Sequence, residues 1–530
     1  MSTNIDKIWV LALFSKCDKI STFNVGCTFL VLAIIWLGMA ILHWSHSGGP
    51  AWGKYRFTHI SGWARKTIPG PRGWPIIGSM NLMMGLAHRK IASEAISHKA
   101  KRLMAFSLGE TRVIVTCNHE VAKEILHSSN FADRPIKESA YSLLFSRAIG
   151  FAPYGVYWRT LRRVASTHLF SPKQIKASET QRFDIASEMS AVFGAKSGGF
   201  QVREVLRLAS LSNMMGSVFG KNYGLIGEPD SEIMELKEMV SEGYDLLGML
   251  NWGDHLSWLS DFDLQKIRFR CSQLVPKVNR FVGRIIKEHR ADPVHASRDF
   301  VDVLLSLQGS DKLLDSDMIA VLWEMIFRGT DTVAVLIEWV LARVVLHPEV
   351  QSKVHQELDK VIGRSRAVNE SDVTSLVYLT AVIKEVLRLH PPGPLLSWAR
   401  LAIEDTTVDG YHVPAGTTAM VDMFAIARDP EVWPEPEKFD PSRFLVLGSE
   451  VDFSVLGSDL RLAPFGSGRR ACPGKALGMA TVTFWLAHLL HEFEWMAHGA
   501  SDGMVDLSEI LKLSCEMAHP LTVDVRCRRA

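Results

Sequence analysis

Cysteine is scarce and unpaired in this chain: seven in 530 residues, an odd number, with no C-x-x-C spacing. A disulfide scaffold and a zinc module are thereby excluded, and the pattern suits thiols kept reduced in the cytosol. Net charge is almost absent too. Lys and Arg number 59 against 57 Asp and Glu, and only 22% of residues are charged, so nothing points to a nucleic-acid partner. No G-x-G-x-x-G follows a strand pattern, which leaves out a nucleotide-binding fold of that kind. Internal repeats and low-complexity tracts are missing as well. What the chain has in quantity is apolar surface, 47% of residues, enough for a large core. Its length exceeds the usual size of one domain, so two would be the naive count.

Charge disappears altogether from Phe23 to Leu42, a run of twenty residues. At about 1.5 Å per residue such a helix crosses a hydrocarbon layer roughly 30 Å thick. A cleaved signal peptide needs a shorter run after a brief basic start; here twenty-two residues precede it, so a membrane anchor is expected. Lys7, Lys16 and Lys19 lie before the span, and Lys54, Arg56, Arg65, Lys66 and Arg72 after it, with no acidic residue until Glu94. The near flanks almost tie; only the wider window favours a cytosolic carboxyl side. Ile68-Pro69-Gly70-Pro71-Arg72-Gly73-Trp74-Pro75 then reads as a stiff extended hinge, because proline fixes φ and lacks an N–H. The organisation expected is a lumenal segment 1–22, an anchor 23–42, a linker 43–75 with the proline-rich hinge, and a catalytic domain 76–530.

Helical patterns dominate that domain. Asp317 to Leu346 has no breaker before Pro348, which predicts a helix of about 45 Å. Leu376 to Leu389 repeats apolar residues at helical spacing before His390-Pro391-Pro392. Arg112 to Thr116 alternates like a strand, and Thr406-Thr407-Val408 faces Tyr411-His412-Val413 across Asp409-Gly410, a hairpin signal. A mainly α protein with small β-sheets is expected.

Pro464 to Gly474 reads P-F-G-S-G-R-R-A-C-P-G. A lone cysteine is usually a buried structural thiol, but this loop is suited to presenting a sulfur. Gly466, Gly468 and Gly474 allow tight turns and close approach to a flat group, and backbone N–H groups can then favour a thiolate. Phe465, Gly468, Arg470, Cys472 and Gly474 match F-x-x-G-x-R-x-C-x-G, and on this signature the chain resembles the cytochrome P450 family from about Pro69 to its carboxyl end. The resemblance implies the triangular fold of that family in a single domain, preceded by one transmembrane helix as in its microsomal members. It also implies haem b with Cys472 as the axial metal ligand, and a thiolate on haem iron favours cleavage of the O–O bond. Phe465 would shield the sulfur, and Arg470 suits a haem propionate because guanidinium pairs with carboxylates.

Other positions fit the same resemblance. Trp158 and Arg162 match W-x-x-x-R, whose indole N–H and guanidinium can both reach a propionate; Arg400 resembles a further propionate partner. Glu385 and Arg388, one helical turn apart, and Arg443 in Pro441-Ser442-Arg443-Phe444 resemble a buried triad that holds the haem pocket. In Arg328-Gly329-Thr330-Asp331-Thr332, Thr332 and Asp331 resemble the alcohol and acid that deliver protons during oxygen chemistry, with Gly329 letting the helix open. A mid-helix threonine otherwise bonds the carbonyl four residues back, here that of Arg328.

Arg328 departs from the small residue usual at its place. It shares a helix face with Thr332, so it either binds a substrate carboxylate near the site of chemistry or pairs with Glu324, also four residues away. Trp323 to Thr332 together with Pro391 to Arg400 look like a plant-specific subfamily, subfamily A of family 78. Its members are associated with organ and seed size, and fatty-acid hydroxylation has been proposed for them. Pocket walls expected by resemblance are Phe327, Arg328, the stretch Leu395, Leu396, Ser397 and Trp398, and Cys515 to Met517.

A monooxygenase is therefore expected, inserting oxygen from O2 into a lipophilic substrate at the endoplasmic reticulum membrane with its domain facing the cytosol. Its electrons would come from NADPH through cytochrome P450 reductase. Two other readings stay open: a haem-thiolate isomerase or dehydratase that needs neither NADPH nor O2, and a haem-binding signalling protein without turnover.

Overall fold

The computed structural model describes residues 22–58, 66–227, 231–291, 299–396, 399–445, 453–457, 459–499 and 505–528. Helices make up most of it. The longest, Asp315–Leu346, is continuous over 32 residues, and His347 alone separates it from Pro348, which opens the next helix, Pro348–Val361. Val377–Leu389 and the hairpin Thr406–Val408/Tyr411–Val413 form where their patterns predict. A four-stranded sheet joins Met104–Leu108, Thr111–Thr116, Thr418–Val421 and Arg400–Leu401 in that order, its two central strands parallel. Thr522–Cys527 pairs with Phe200–Gln201 and Phe493–Ala497, and a hairpin joins Glu509–Leu511 to Cys515–Met517.

The long helix divides the core in two. Its first half, through Phe327, packs with the helices Arg203–Phe219, Ser231–Gly248 and Ile267–Ala291. From Ala334 onward it packs with Val377–Leu389 and Lys475–Glu492. Arg328 to Thr332 belong to neither cluster. These five residues carry no large apolar side chain, and the site described below opens beside Arg328, Gly329 and Thr332.

At the amino end, helix Thr22–Trp44 presents large apolar side chains to the outside, Leu30 61% and Leu42 60% exposed. Gly26–Trp44 is long and apolar enough to cross a membrane. Trp44 donates its indole N–H to the Gly73 carbonyl at 2.7 Å. The segment expected to be a linker carries a helix of its own, Pro50–Thr58. That helix lies on the four-stranded sheet, with buried Trp52 bonded to Phe106 O at 3.0 Å. Residues 1–21, where the lumenal segment was expected, lie outside the described residues.

Candidate active site

A cavity lies between the middle of the long helix and the cysteine loop, lined on one side by Arg328, Gly329 and Thr332 and on the other by Phe465, Gly466 and Cys472. About 250 Å³ of it is open to water-sized centres, far more than the roughly 10–15 Å³ that one water requires. Cys472 counts as exposed by area although protein encloses it on all sides. The two observations agree once its accessible face is recognised as the one turned to the cavity. No other described cysteine lines it.

The loop around Cys472 is fixed by backbone bonds and close approach. The Cys472 N–H donates to the Phe465 carbonyl at 2.9 Å. Gly466 and Gly468 sit at φ of 68° and 69°, and a Cβ on Gly468 would fall 2.0 Å from the Leu126 carbonyl oxygen, so no side chain fits. Burial pushes the Cys472 thiol up; Arg328, the Gly474 N–H, Arg162 and Lys475 pull the other way. Those are the surroundings that favour a thiolate once sulfur is bound to a metal.

Five arginines line the cavity: Arg134, Arg162, Arg328, Arg400 and Arg470. Burial and mutual repulsion push Arg400 down to about 9 and Arg470, whose largest perturbation is also burial, to about 10. Their bonding differs. Arg470 is committed to protein, donating to the carbonyls of Ala132 at 3.0 Å, Ile149 at 3.2 Å and Ala152 at 2.7 Å, with Asp133 at 3.5 Å. The Trp158 ring lies 4.4 Å from its guanidinium, and the Trp158 N–H goes to the Ile149 carbonyl at 3.0 Å. The indole therefore braces Arg470 instead of reaching outward as expected. Arg162 spends one N–H on Ala471 O at 2.9 Å. Arg400 makes one long bond to Ser467 O at 3.5 Å, and its buried Nη1 has no partner.

On the long helix, Thr332 turns its hydroxyl toward the Arg328 carbonyl at 3.4 Å and is exposed to the cavity. Asp331 is elsewhere. One residue is about 100° around a helix, which points its carboxylate at Arg207 Nε, 2.9 Å away, while Arg207 also holds Glu516 at 2.6 Å. Burial pushes the Asp331 carboxyl up and Arg207 opposes it. The helix stays closed at Gly329, whose missing side chain makes room for Met214; a Cβ would lie 2.3 Å from its sulfur.

Arg328 and Glu324 approach the same point, at Gly150. A Cβ on Gly150 would sit 2.3 Å from Glu324 Oε1 and 3.3 Å from Arg328 Nη1, so both side chains converge there. Glu324 Oε1 accepts the Gly150 N–H at 2.7 Å. Its Oε2 is buried without a partner. Burial pushes the Glu324 carboxyl up, against the pull of Arg328.

Of the expected pocket walls, Arg328 and Leu396 line the cavity. Phe327, one position off the cavity face, stacks on Tyr244 at 4.4 Å inside the helical core. Leu395 packs under the four-stranded sheet, and Met517 is buried in the core. Ser397 and Trp398 lie outside the described residues. The hairpin reaches the cavity through Leu513 and Ser514 instead, with Met214, Tyr244 and Met325 opposite. Arg134 and the Gly150 contact escaped the sequence reading, since no spacing signals a meeting across more than 170 residues.

The triad stands behind the cavity, outside its lining. Glu385 and Arg388 are wholly buried and doubly bonded, at 2.7 and 2.8 Å. Arg443 Nε lies 3.4 Å from Glu385 but makes no hydrogen bond; its other nitrogens bond the Pro434 carbonyl at 2.5 Å and the Glu435 carbonyl at 2.9 Å.

An enclosed sulfur facing a large cavity lined with cations suits a haem-thiolate oxidoreductase. The sequence pattern of the cytochrome P450 family matches residues 68–515, and the chain belongs to that family. Cytochrome P450 78A9 of Arabidopsis thaliana is 65% identical over 100% of this chain and 99% of its own, and Cytochrome P450 78A3 of Glycine max is 64% identical over 100% of both. They place the chain in subfamily A of family 78. A Flavonoid 3'-monooxygenase of Arabidopsis thaliana is 35% identical over 87% of this chain and 92% of its own. The protein is thus a monooxygenase whose family holds haem iron by a cysteine thiolate and receives NADPH electrons through a reductase. The cavity fits haem on its own terms: the unpartnered Arg400 Nη1 and the Arg162 guanidinium suit propionates, and the bare backbone at Gly468 keeps the cysteine loop in place.

Proposed function

We propose that this monooxygenase inserts one oxygen atom of O2 into a C–H bond of a lipophilic substrate bearing one acidic end, and that Arg328 holds that end. The observation that carries the reading is the position of Arg328, on the cavity wall with Cys472 and one helical turn from Thr332. The wall around it is mostly apolar, with Met214, Met325, Val333, Leu336, Leu396 and Leu513. Such a pocket selects an apolar body with few polar anchors.

Cys472 would hold the haem iron through its sulfur, and Arg162 and Arg400 would pair with the propionates. When bound, haem supplies the activation of dioxygen for C–H insertion. The chain's residues do the rest. The apolar wall excludes water, and Arg328 fixes how far along the substrate chain the reacting carbon lies. The Thr332 hydroxyl, on the cavity face, passes protons inward. Asp331, held by Arg207, fixes that turn of helix. Glu385, Arg388 and Arg443 hold the loops under the pocket.

NADPH–cytochrome P450 reductase is the electron donor in this proposal, and the endoplasmic reticulum membrane is the location, with the domain on the cytosolic side. The apolar helix supports the membrane location and the free cysteines the cytosolic side. The product would act in plant organ or seed growth, on the strength of the subfamily resemblance. Turnover with isotope-labelled O2, reductase and NADPH tests the reaction. Decanoic acid should yield a product carrying one labelled oxygen, while methyl decanoate and the Arg328→Ala enzyme with the acid should yield far less. Equal turnover of acid and ester would remove Arg328 from recognition.

A further inference from the structure

Among the described residues, Glu324 is the one acidic residue on a cavity wall that carries five arginines. It is 2% exposed, one carboxylate oxygen accepts the Gly150 N–H, and the other has no hydrogen-bond partner. An unpartnered buried carboxylate oxygen on a cavity wall is costly unless something arrives to use it. Arg328 and Glu324 meet over Gly150, where any larger residue would push the carboxylate away. An acid seated on Arg328 therefore lies beside Glu324.

We propose that Glu324 makes Arg328 selective for a protonatable acid: an acid-bearing apolar ligand on Arg328 shares one proton with Glu324, and its binding takes that proton from solution. The proposal rests on the role given to Arg328 above. Two carboxylates within hydrogen-bond reach cannot both stay ionised in an enclosed site, so one retains a proton. The charges facing Glu324 are Arg328 on its own helix, the N–H groups of Ile149 and Gly150, Tyr157 and Arg162 from helix Val156–His168, Arg470 from the cysteine loop, and Arg134. With Arg162 and Arg400 facing propionates, Arg470 tied to carbonyls and Asp133, and Arg134 bonded to the carbonyls of Gly150 and Ala399, Arg328 is the cation that acts on Glu324 most strongly. A second carboxylate brought against Glu324 must share that one cation, and a proton between the two carboxyls relieves their repulsion.

The step is a proton uptake with no change of oxidation state. Solvent supplies the proton, the pair of carboxyls holds it as an O–H···O bond, and release of the ligand returns it. Burial already pushes the Glu324 carboxyl up, which favours the shared proton. Apolar ligands ending in a carboxylic acid are the class this pair selects; permanent anions such as sulfonates, and esters, fit it poorly.

Calorimetry on the haem-loaded full chain in detergent micelles tests this, titrating decanoic acid, methyl decanoate and decanesulfonate near pH 8 in two buffers of different protonation enthalpy. The acid should take up about one proton per molecule bound, and its affinity should fall about tenfold per pH unit above the pKa of Glu324. Decanesulfonate should bind more weakly, and the ester with no uptake. In Glu324→Gln the acid should bind without uptake and with a flat pH dependence. Acid bound in preference to ester without proton uptake by the wild-type protein would overturn this inference alone, as would uptake that persists in Glu324→Gln. Equal affinity for acid and ester would overturn the role of Arg328 and this inference with it. The wild-type titration decides even where Glu324→Gln does not accumulate.

Discussion

Replacing Glu385 with Gln removes one charge and almost no volume from the most buried ion pair among the described residues. Both partners are wholly buried, and Glu385 accepts two bonds from Arg388 and one from the Asp440 N–H at 2.9 Å. Arg388 further holds the carbonyls of Ala427 at 2.9 Å, Pro436 at 2.7 Å and Lys438 at 3.2 Å. It cannot follow a lost partner out to water. An exposed Glu–Arg pair one turn apart is worth about 0.3–0.5 kcal/mol, whereas a buried cation left without its anion costs about 3–5 kcal/mol. At about 2.1 cal/mol/K per residue, 530 residues give an unfolding entropy near 1 kcal/mol/K, so Tm should fall by about 3–5 °C. Scanning calorimetry of the haem-loaded full-length protein in detergent micelles reads this directly. A fall below about 1 °C, the size expected of a surface pair, would refute the argument that burial gives the pair its weight.

Three further outcomes follow from named contacts. Thr332→Ala removes the hydroxyl that faces the cavity, so product formed per NADPH consumed should fall about 100-fold, the lower end for proton-transfer catalysis, with the difference appearing as hydrogen peroxide. Gly468→Ala places a methyl 2.0 Å from the Leu126 carbonyl at a φ of 69°, and should accumulate with little haem, measured as haem per polypeptide. Burial raises the Asp422 carboxyl to about 8 from the usual 3.8. The folded chain then binds a proton that the unfolded chain has released, and stability falls as pH rises from about 4 to 8, by at most about 1.4 kcal/mol per unit. Asp422→Asn keeps an acceptor for the Ala425 N–H; it should therefore be more stable than wild type at pH 8, with the gain vanishing toward pH 4 in urea unfolding.

Local signals in the sequence carried what local rules govern. The long helix and Val377–Leu389 formed within two residues of their patterns, and the Asp409-Gly410 hairpin where its turn residues put it. The loop around Cys472 was legible because its turns need residues of a particular kind at fixed spacing. Helix phase was legible only in part. Arg328 and Thr332 share the cavity face as their spacing requires, but Phe327 and Asp331, one step away from each, turn into the core and toward Arg207. Contacts between distant segments left no trace in spacing: Gly150 under Glu324, Arg470 in a nest of carbonyls, and Leu513 instead of Met517 at the cavity. The helix Pro50–Thr58 is short, and it is held by the sheet beneath Trp52 more than by propensity.

The most direct test of the account is the absorption spectrum of the reduced, carbon monoxide-treated protein, compared between wild type and Cys472→Ser at equal haem content. The wild type should show the red-shifted Soret band of thiolate-ligated haem, and the variant should lose it. A variant that keeps the thiolate-type band would place the iron ligand elsewhere and contradict the assignment of Cys472 on which the site, the chemistry and the role of Arg328 all depend.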